Sequence, residues 1–208
     1  MTILNRRLVA ASLAAAALIG WAQPSAAIDF TNSAFIQVAS VNTSIPVGHL
    51  EFCRSRPGEC QANSRVEPAV SLDETNWQQL VNVNAHFNQS ITPVTDQELY
   101  QVEEFWTYPT SGYGDCEDFV LAKRAALMEA GWPASTLLIT VVRQADGSGH
   151  AVLTVRTDRG DLVLDNQEGA IRVWNETPYL FLKRQSQANA GQWVDMLDDR
   201  VTVVAANR

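Results

Sequence analysis

Between a glycine-containing loop and the pair Gly131 and Pro133 lies the segment that most narrowly limits what this chain can become. Asp115, Cys116, Glu117 and Asp118 open it, and Phe119 to Ala130 then carries nine apolar residues against only Lys123, Arg124 and Glu129 as charges. A helix so apolar around its circumference has to be covered on several sides. Gly131, with Pro133 just beyond, supplies its stop. Upstream, Pro109, Gly112 and Gly114 make 107–114 a loop that delivers the chain to this buried rod.

What covers the rod is legible on both sides of it. Downstream the apolar period changes from helical to alternating: Leu137, Ile139 and Val141 share one face, and Ala151, Leu153 and Val155 share the next. Leu162 and Leu164 predict a third strand and 179–183 a fourth, with turns at 146–149 and 157–160. Upstream, Leu72, Trp77, Leu80, Val81, Val83, Asn84 and Phe87 recur at steps of three and four, predicting a helix over 71–90 capped by Ser71 or Asp73. A shorter helix is expected over 96–106 after Pro93, and 28–70 reads as loops and short strands. No repeat, low-complexity tract or second-domain linker is visible. The expectation is α+β: one domain over 28–208, with a central helix packed on an antiparallel sheet.

Composition narrows the functional classes. The chain has 208 residues, 46% hydrophobic and 18% charged, which fits a folded domain, and a formal charge of -8, which argues against a nucleic acid partner. Arg6 and Arg7, the Ala- and Leu-rich run from Leu8 to Trp21, and Ser25, Ala26 and Ala27 read as a signal peptide over 1–27. The run is too short for a comfortable span, so the expected product is exported, with no membrane span after cleavage. An uncleaved anchor or a buried helix is the alternative.

In an oxidising compartment three cysteines leave one over. Cys53 and Cys60 flank a Pro57-Gly58 turn that can bring one sulfur onto the other, so a disulfide is expected, with two free thiols as the alternative. Cys116 then stands alone at the start of the buried rod. A hairpin turn centred on Asp158 and Arg159 pairs Thr157 with Gly160, and its register puts His150 and Asp165 on one face as diagonal neighbours, about 7 Å apart at Cβ. A one-residue bulge would break this parity. Taken singly, a cysteine at a helix start, a histidine at a strand edge and an aspartate ending a strand have bland explanations in packing, surface and turn capping. Taken jointly they suggest Cys116 as nucleophile, His150 as general base and acid, and Asp165 orienting the imidazole. The helix N-terminus favours a thiolate and leaves amides for an oxyanion.

Gly114-Asp115-Cys116-Glu117-Asp118-Phe119, Ala122-Lys123, Gly131, Gly149-His150-Ala151-Val152-Leu153 and Leu164-Asp165-Asn166, together with Asn84, Asn88, Asp96 and Trp106, resemble the bacterial transglutaminase-like cysteine proteinases, which include the LapG-type periplasmic proteases. The resemblance implies a papain-like or transglutaminase-like core and a Cys-His-Asp triad in that chain order, here Cys116, His150 and Asp165. It implies a periplasmic endopeptidase acting on a protein substrate. For LapG-type members it further implies calcium-dependent cleavage of a large surface adhesin that releases biofilm cells, and a membrane-bound regulator.

The residues beside the thiol raise the matter of a metal independently. One carboxylate about 6 Å away opposes thiolate formation by roughly 3 kcal/mol at an effective dielectric near 20, before screening. Asp115, Glu117 and Asp118 together call for an offsetting cation, and oxygens suit Ca²⁺ better than Zn²⁺. The other reading is that these acids complement the helix dipole. Trp106 is either an oxyanion donor or a core residue; Asn84 is expected to satisfy loop backbone, and His49 and His86 to be structural. Two other functions fit the same residues: acyl transfer to an amine, as in transglutaminases, and a module that binds a polypeptide without cutting it.

Overall fold

The structure, a computed structural model, describes residues 28–200. The signal-peptide expectation for 1–27 lies outside these residues. The elements run β1 (Gln37–Thr43), α1 (Val47–Ser55), α2 (Glu74–Ser90), β2 (Thr92–Pro93), α3 (Asp96–Leu99), β3 (Tyr113–Gly114), α4 (Cys116–Glu129), β4 (Leu137–Arg143), β5 (Gly149–Thr157), β6 (Gly160–Leu164), β7 (Arg172–Val173), β8 (Leu180–Gln185) and β9 (Trp193–Leu197).

α4 is the buried rod. Nine of its side chains from Glu117 to Leu127 are buried, and it packs on β5, β4 and α2. Its end is a Schellman motif: the Trp132 amide donates to Leu127 O and the Gly131 amide to Met128 O, each at 3.0 Å, with Gly131 at φ +95°. Arg124 donates from Nε to Leu137 O at 3.0 Å and so ties the helix to the strand that follows it.

The sheet is larger than the sequence suggests. Seven strands lie in the order β1-β9-β8-β4-β5-β6-β7, every neighbouring pair antiparallel, with β2 and β3 forming a separate parallel pair. Four of the strands are those expected after α4, and β1 is one of the short strands expected within 28–70; β7 and β9 are additional. β1 and β9 pair with each other across most of the chain, a non-local match that no local pattern announces. The β5–β6 hairpin has the expected even turn, Thr157 opposite Gly160 and Leu153 opposite Leu164.

Two local expectations need correcting. The helix expected over 96–106 stops at Leu99, because Gln101 takes φ 60° and the following amides are claimed by side chains: Phe105 N donates to Asp96, and Thr107 N donates to Asp118 Oδ1 at 2.9 Å. The region 28–70 also holds a helix, α1, which the prolines and glycine around it disguise. α2 starts at Glu74 rather than 71, and of the two candidate caps Asp73 does the work, accepting from Asn76 N at 2.8 Å. Cys53 and Cys60 are bonded as expected, tying the end of α1 to the turn beyond it.

The main core lies between α4 and the sheet, with Leu121, Leu127, Leu137, Ile139, Leu153, Val155, Leu164 and Trp193 among its members. His49 is buried beside it between the indoles of Trp106 and Trp193, each ring 5.3 Å away, and accepts from Trp193 Nε1 at 3.1 Å. Its structural role is as expected. Among the described residues no helix is long and apolar enough to cross a membrane.

Candidate active site

Three elements end at one place. α4 begins with Cys116, β5 carries His150 as its second residue, and Asp165 follows the last residue of β6. Because β5 packs on α4, the amide of Ala151, next to the histidine, donates to Cys116 Sγ at 3.4 Å. Cys116 and His150 line one cavity of about 420 Å³ with Pro46, Val47, Glu104 and Trp106. Cys116 is the free cysteine among the described residues.

His150 and Asp165 face each other as the hairpin register requires, Nε2 to Oδ1 at 2.8 Å, both side chains buried. Burial alone raises the Asp165 carboxyl, but hydrogen bonds from His150, Tyr179 and Gln167 outweigh it and hold the group below the ordinary carboxylate range. The imidazole therefore sits against an ionised partner. Its other nitrogen, Nδ1, is 3.5 Å from Gln167 Nε2. Neither Tyr179 nor Gln167 stands out in the sequence, since both belong to segments without a motif.

The thiol is engaged elsewhere in this state. It donates to Glu117 Oε2 at 3.2 Å. Burial pushes it well above its ordinary value, and the Glu117 and Asp115 charges push it further. As expected from the sequence, carboxylates crowd the sulfur. Trp106, which shares the cavity, spends its indole N–H on Glu104 Oε2 at 3.0 Å.

The acid cluster differs in membership from the sequence reading. Asp115 and Glu117 gather with Asp96, one oxygen from each lying within 4.8 Å of the others, while Asp118 stands outside that group. Asp96 arrives because it opens α3, held by the β2–β3 pair next to the start of α4; its amide donates to Asp115 Oδ2 at 3.2 Å. Burial raises Asp96 and lifts Glu117 to about 9, with the Asp115 charge adding to both. Burial likewise lifts Asp118 to about 7. Asp96 Oδ1, Asp115 Oδ1 and Asp118 Oδ2 are buried with no hydrogen-bond partner. Several carboxylate oxygens without donors, and no ammonium or guanidinium among them, form a donor set suited to a hard divalent cation. A second grouping, His49 with Cys53 and Cys60, has both sulfurs committed to the disulfide.

α2 contributes supports rather than reactants. Asn88 Nδ2 donates to Asp165 O at 2.8 Å and Asn84 Nδ2 to Gly169 O at 3.2 Å, gripping the loop that carries the aspartate. Asn84 thus satisfies loop backbone as expected. His86 is exposed.

Comparison with known proteins identifies the family of the chain. Residues 39–201 match the family model for the bacterial transglutaminase-like cysteine proteinases. Among solved structures, LapG of Legionella pneumophila in a calcium-bound form is 28% identical, with 52% of this chain and 64% of that chain covered and a TM-score of 0.47. The EGTA-treated form of LapG is also 28% identical, covering 60% and 73%, with a TM-score of 0.49. Among curated proteins, a yeast (Saccharomyces cerevisiae) regulatory subunit of serine/threonine-protein phosphatase 1, PIG1, is 31% identical over 83 residues, 36% of this chain and 13% of that one. The chain therefore spans about an eighth of the length of that curated relative.

Proposed function

The chain belongs to the bacterial transglutaminase-like cysteine proteinases, and from that premise we propose that it is an exported cysteine endopeptidase whose triad is Cys116, His150 and Asp165. The observation that carries the proposal is the convergence of three separate elements: the His150–Asp165 pair at 2.8 Å, one residue along from an amide that touches the Cys116 sulfur.

In the reaction, Cys116 turns from Glu117 to His150 and gives up its proton to Nδ1. The sulfur attacks the scissile carbonyl carbon, and the amides of the first turn of α4, which have no intrahelical acceptor, face the charge that develops on the oxygen. His150 then protonates the departing amine as the carbon–nitrogen bond breaks, leaving a thioester. Water, deprotonated by the same imidazole, hydrolyses the thioester and restores the thiol. Asp165 keeps the imidazole oriented and stabilises its charged form throughout.

Asp96, Asp115 and Glu117 would hold a calcium ion, with Asp118 nearby. Bound there, the ion supplies positive charge that offsets the carboxylates around the thiol. The orphaned buried oxygens of this chain support that assignment. A periplasmic location, a large surface adhesin as substrate and a membrane-bound regulator are the finer reading, and they rest on the resemblance of the GDCED segment to LapG-type proteases.

The deciding experiment compares cell-surface and released proteins from cells with the wild-type chain and with Cys116→Ala. An active protease leaves one uncut species behind in the variant. In parallel, a thiol-directed peptide electrophile labels the wild type with calcium present, labels His150→Ala weakly, and leaves Cys116→Ala unlabelled. No labelling of the wild type would point to a binding module, and aminated or crosslinked product with an added amine donor would point to acyl transfer.

A further inference from the structure

Asp165 has two oxygens to satisfy at a position only 2% exposed. Oδ1 serves His150 Nε2 at 2.8 Å and the Gln167 backbone amide at 3.0 Å. Oδ2 is met by a single donor, the hydroxyl of Tyr179, at 2.5 Å. Without that donor Oδ2 is buried unpaired, and only the contacts to Oδ1 set the carboxylate about its last torsion, which is broad and two-fold. The Tyr179 ring also tilts against His150, centroids 5.6 Å apart at 57°. Its own backbone is fixed from the far end of the described chain: Arg200 donates to Tyr179 O at 2.6 Å and to Thr177 O at 3.2 Å, while its guanidinium lies 4.4 Å from the Trp174 ring centre.

We infer that Tyr179 is a positioning residue which, on the peptidase reading above, sets the tautomer of His150 by acting through Asp165. A phenol donating to Oδ2 helps keep the carboxylate ionised, so that it can only accept from the imidazole; a protonated Asp165 would instead donate to Nε2 and leave the ring proton on Nδ1. The proton then stays on Nε2 as a donor, and Nδ1 keeps the lone pair that accepts from Cys116. Gln167 supports the same tautomer, since its amide nitrogen faces Nδ1 at 3.5 Å. Burial and the Asp165 contact push the Tyr179 hydroxyl far above its ordinary value, so it remains a donor at any working pH.

Tyr179→Phe tests this by removing one oxygen and keeping the ring. kcat falls at least tenfold, KM stays within twofold, and the thermal midpoint moves by only a few degrees. In an Asp165→Ala background the same substitution causes no further loss, because it has no carboxylate to act through. Nitrogen-15 spectra of His150, recorded without substrate in Cys116→Ala protein, show the Nε2–H tautomer when Tyr179 is present and a mixture with Tyr179→Phe. This last measurement needs no turnover, so it separates failure of the inference from failure of the peptidase reading. An unchanged kcat in folded Tyr179→Phe, additive losses with Asp165→Ala, or an unchanged tautomer would each overturn the inference. Should Tyr179→Phe not fold, 3,5-difluorotyrosine at this position keeps the shape and strengthens the donor; His150 nitrogen signals that fail to move would overturn it equally.

Discussion

Lys123 buries an ammonium group 5.9 Å from the centre of the Phe119 ring. It lies on the same face of α4 as Cys116, two turns on, fully buried, with Nζ lacking a hydrogen-bond partner. Burial pushes its ammonium down from 10.5 to about 7, against the Asp165 charge, which pulls it up. Between those two values the unfolded chain holds a proton that the folded chain does not, so this residue makes stability rise with pH from about 7 to 10.5. Below that window its full cost is present. Lys123→Met should therefore stabilise the domain by about 1–4 kcal/mol near pH 6, with the advantage shrinking as pH rises; denaturant melts at pH 6 and pH 10 check it, and an equal gain at both would refute the charge argument. His49 works at the acid end. Burial, with Arg124 adding to it, pushes its imidazole from 6.5 to about 4, so only the unfolded chain gains a proton between these values and stability falls as pH drops through them. His49→Gln should flatten that acid slope in melts between pH 6.5 and pH 4. That Cys116, His150 and Asp165 meet was legible in the sequence because each lies at the end of a readable element, and cysteine and histidine are also scarce in this chain. Tyr179, Gln167 and Asp96 were not assigned roles, because each acts through a contact that only the folded chain creates.

Among the elements, α1 shows why some of the site escaped the sequence. It is short, and its first turn holds Gly48, which has no apolar signal; yet a Cβ on Gly48 would fall 2.3 Å from Trp106 Cδ1 and 2.4 Å from Nε1. The glycine is there so that the indole can form the cavity wall. Gly48→Ala should shift Trp106, cost about 1–3 kcal/mol through overpacking and slow labelling of Cys116; unchanged tryptophan fluorescence and labelling would contradict this account. α2 offers a calibrating comparison. Asp73→Ala removes the cap on Asn76 N and should cost about 1 kcal/mol, measured by urea melts, without altering the rate of Cys116 labelling. The helices α2 and α4 and the β5–β6 hairpin were legible because their periodicity is set by local burial. α3 was overestimated because Phe105 N and Thr107 N satisfy themselves on carboxylates instead of helical carbonyls, and β9 was missed because its partner β1 lies more than a hundred residues away.

At the scale of the whole molecule, the acid cluster joins α3 to the start of α4, so its electrostatics bear on the stability of the domain as well as on the thiol. Calcium that binds the folded chain alone should raise the thermal midpoint, by about 2.7 kcal/mol of stability at a hundredfold excess over Kd, and a chelator should reverse the gain. Asp96→Asn should weaken the response and leave the calcium-free midpoint unchanged or higher, because it relieves repulsion among buried carboxylates. A midpoint indifferent to calcium would remove the ion from the account. The Cys53–Cys60 bond has a further consequence at this scale, since it closes the end of the helix whose Gly48 and His49 buttress Trp106. Any reductant added to protect the Cys116 thiol will also threaten this tie, and with it the wall of the cleft. Labelling of Cys116 over a graded series of dithiothreitol should then pass through an optimum instead of reaching a plateau: too little leaves the thiol oxidised, and too much loosens its surroundings.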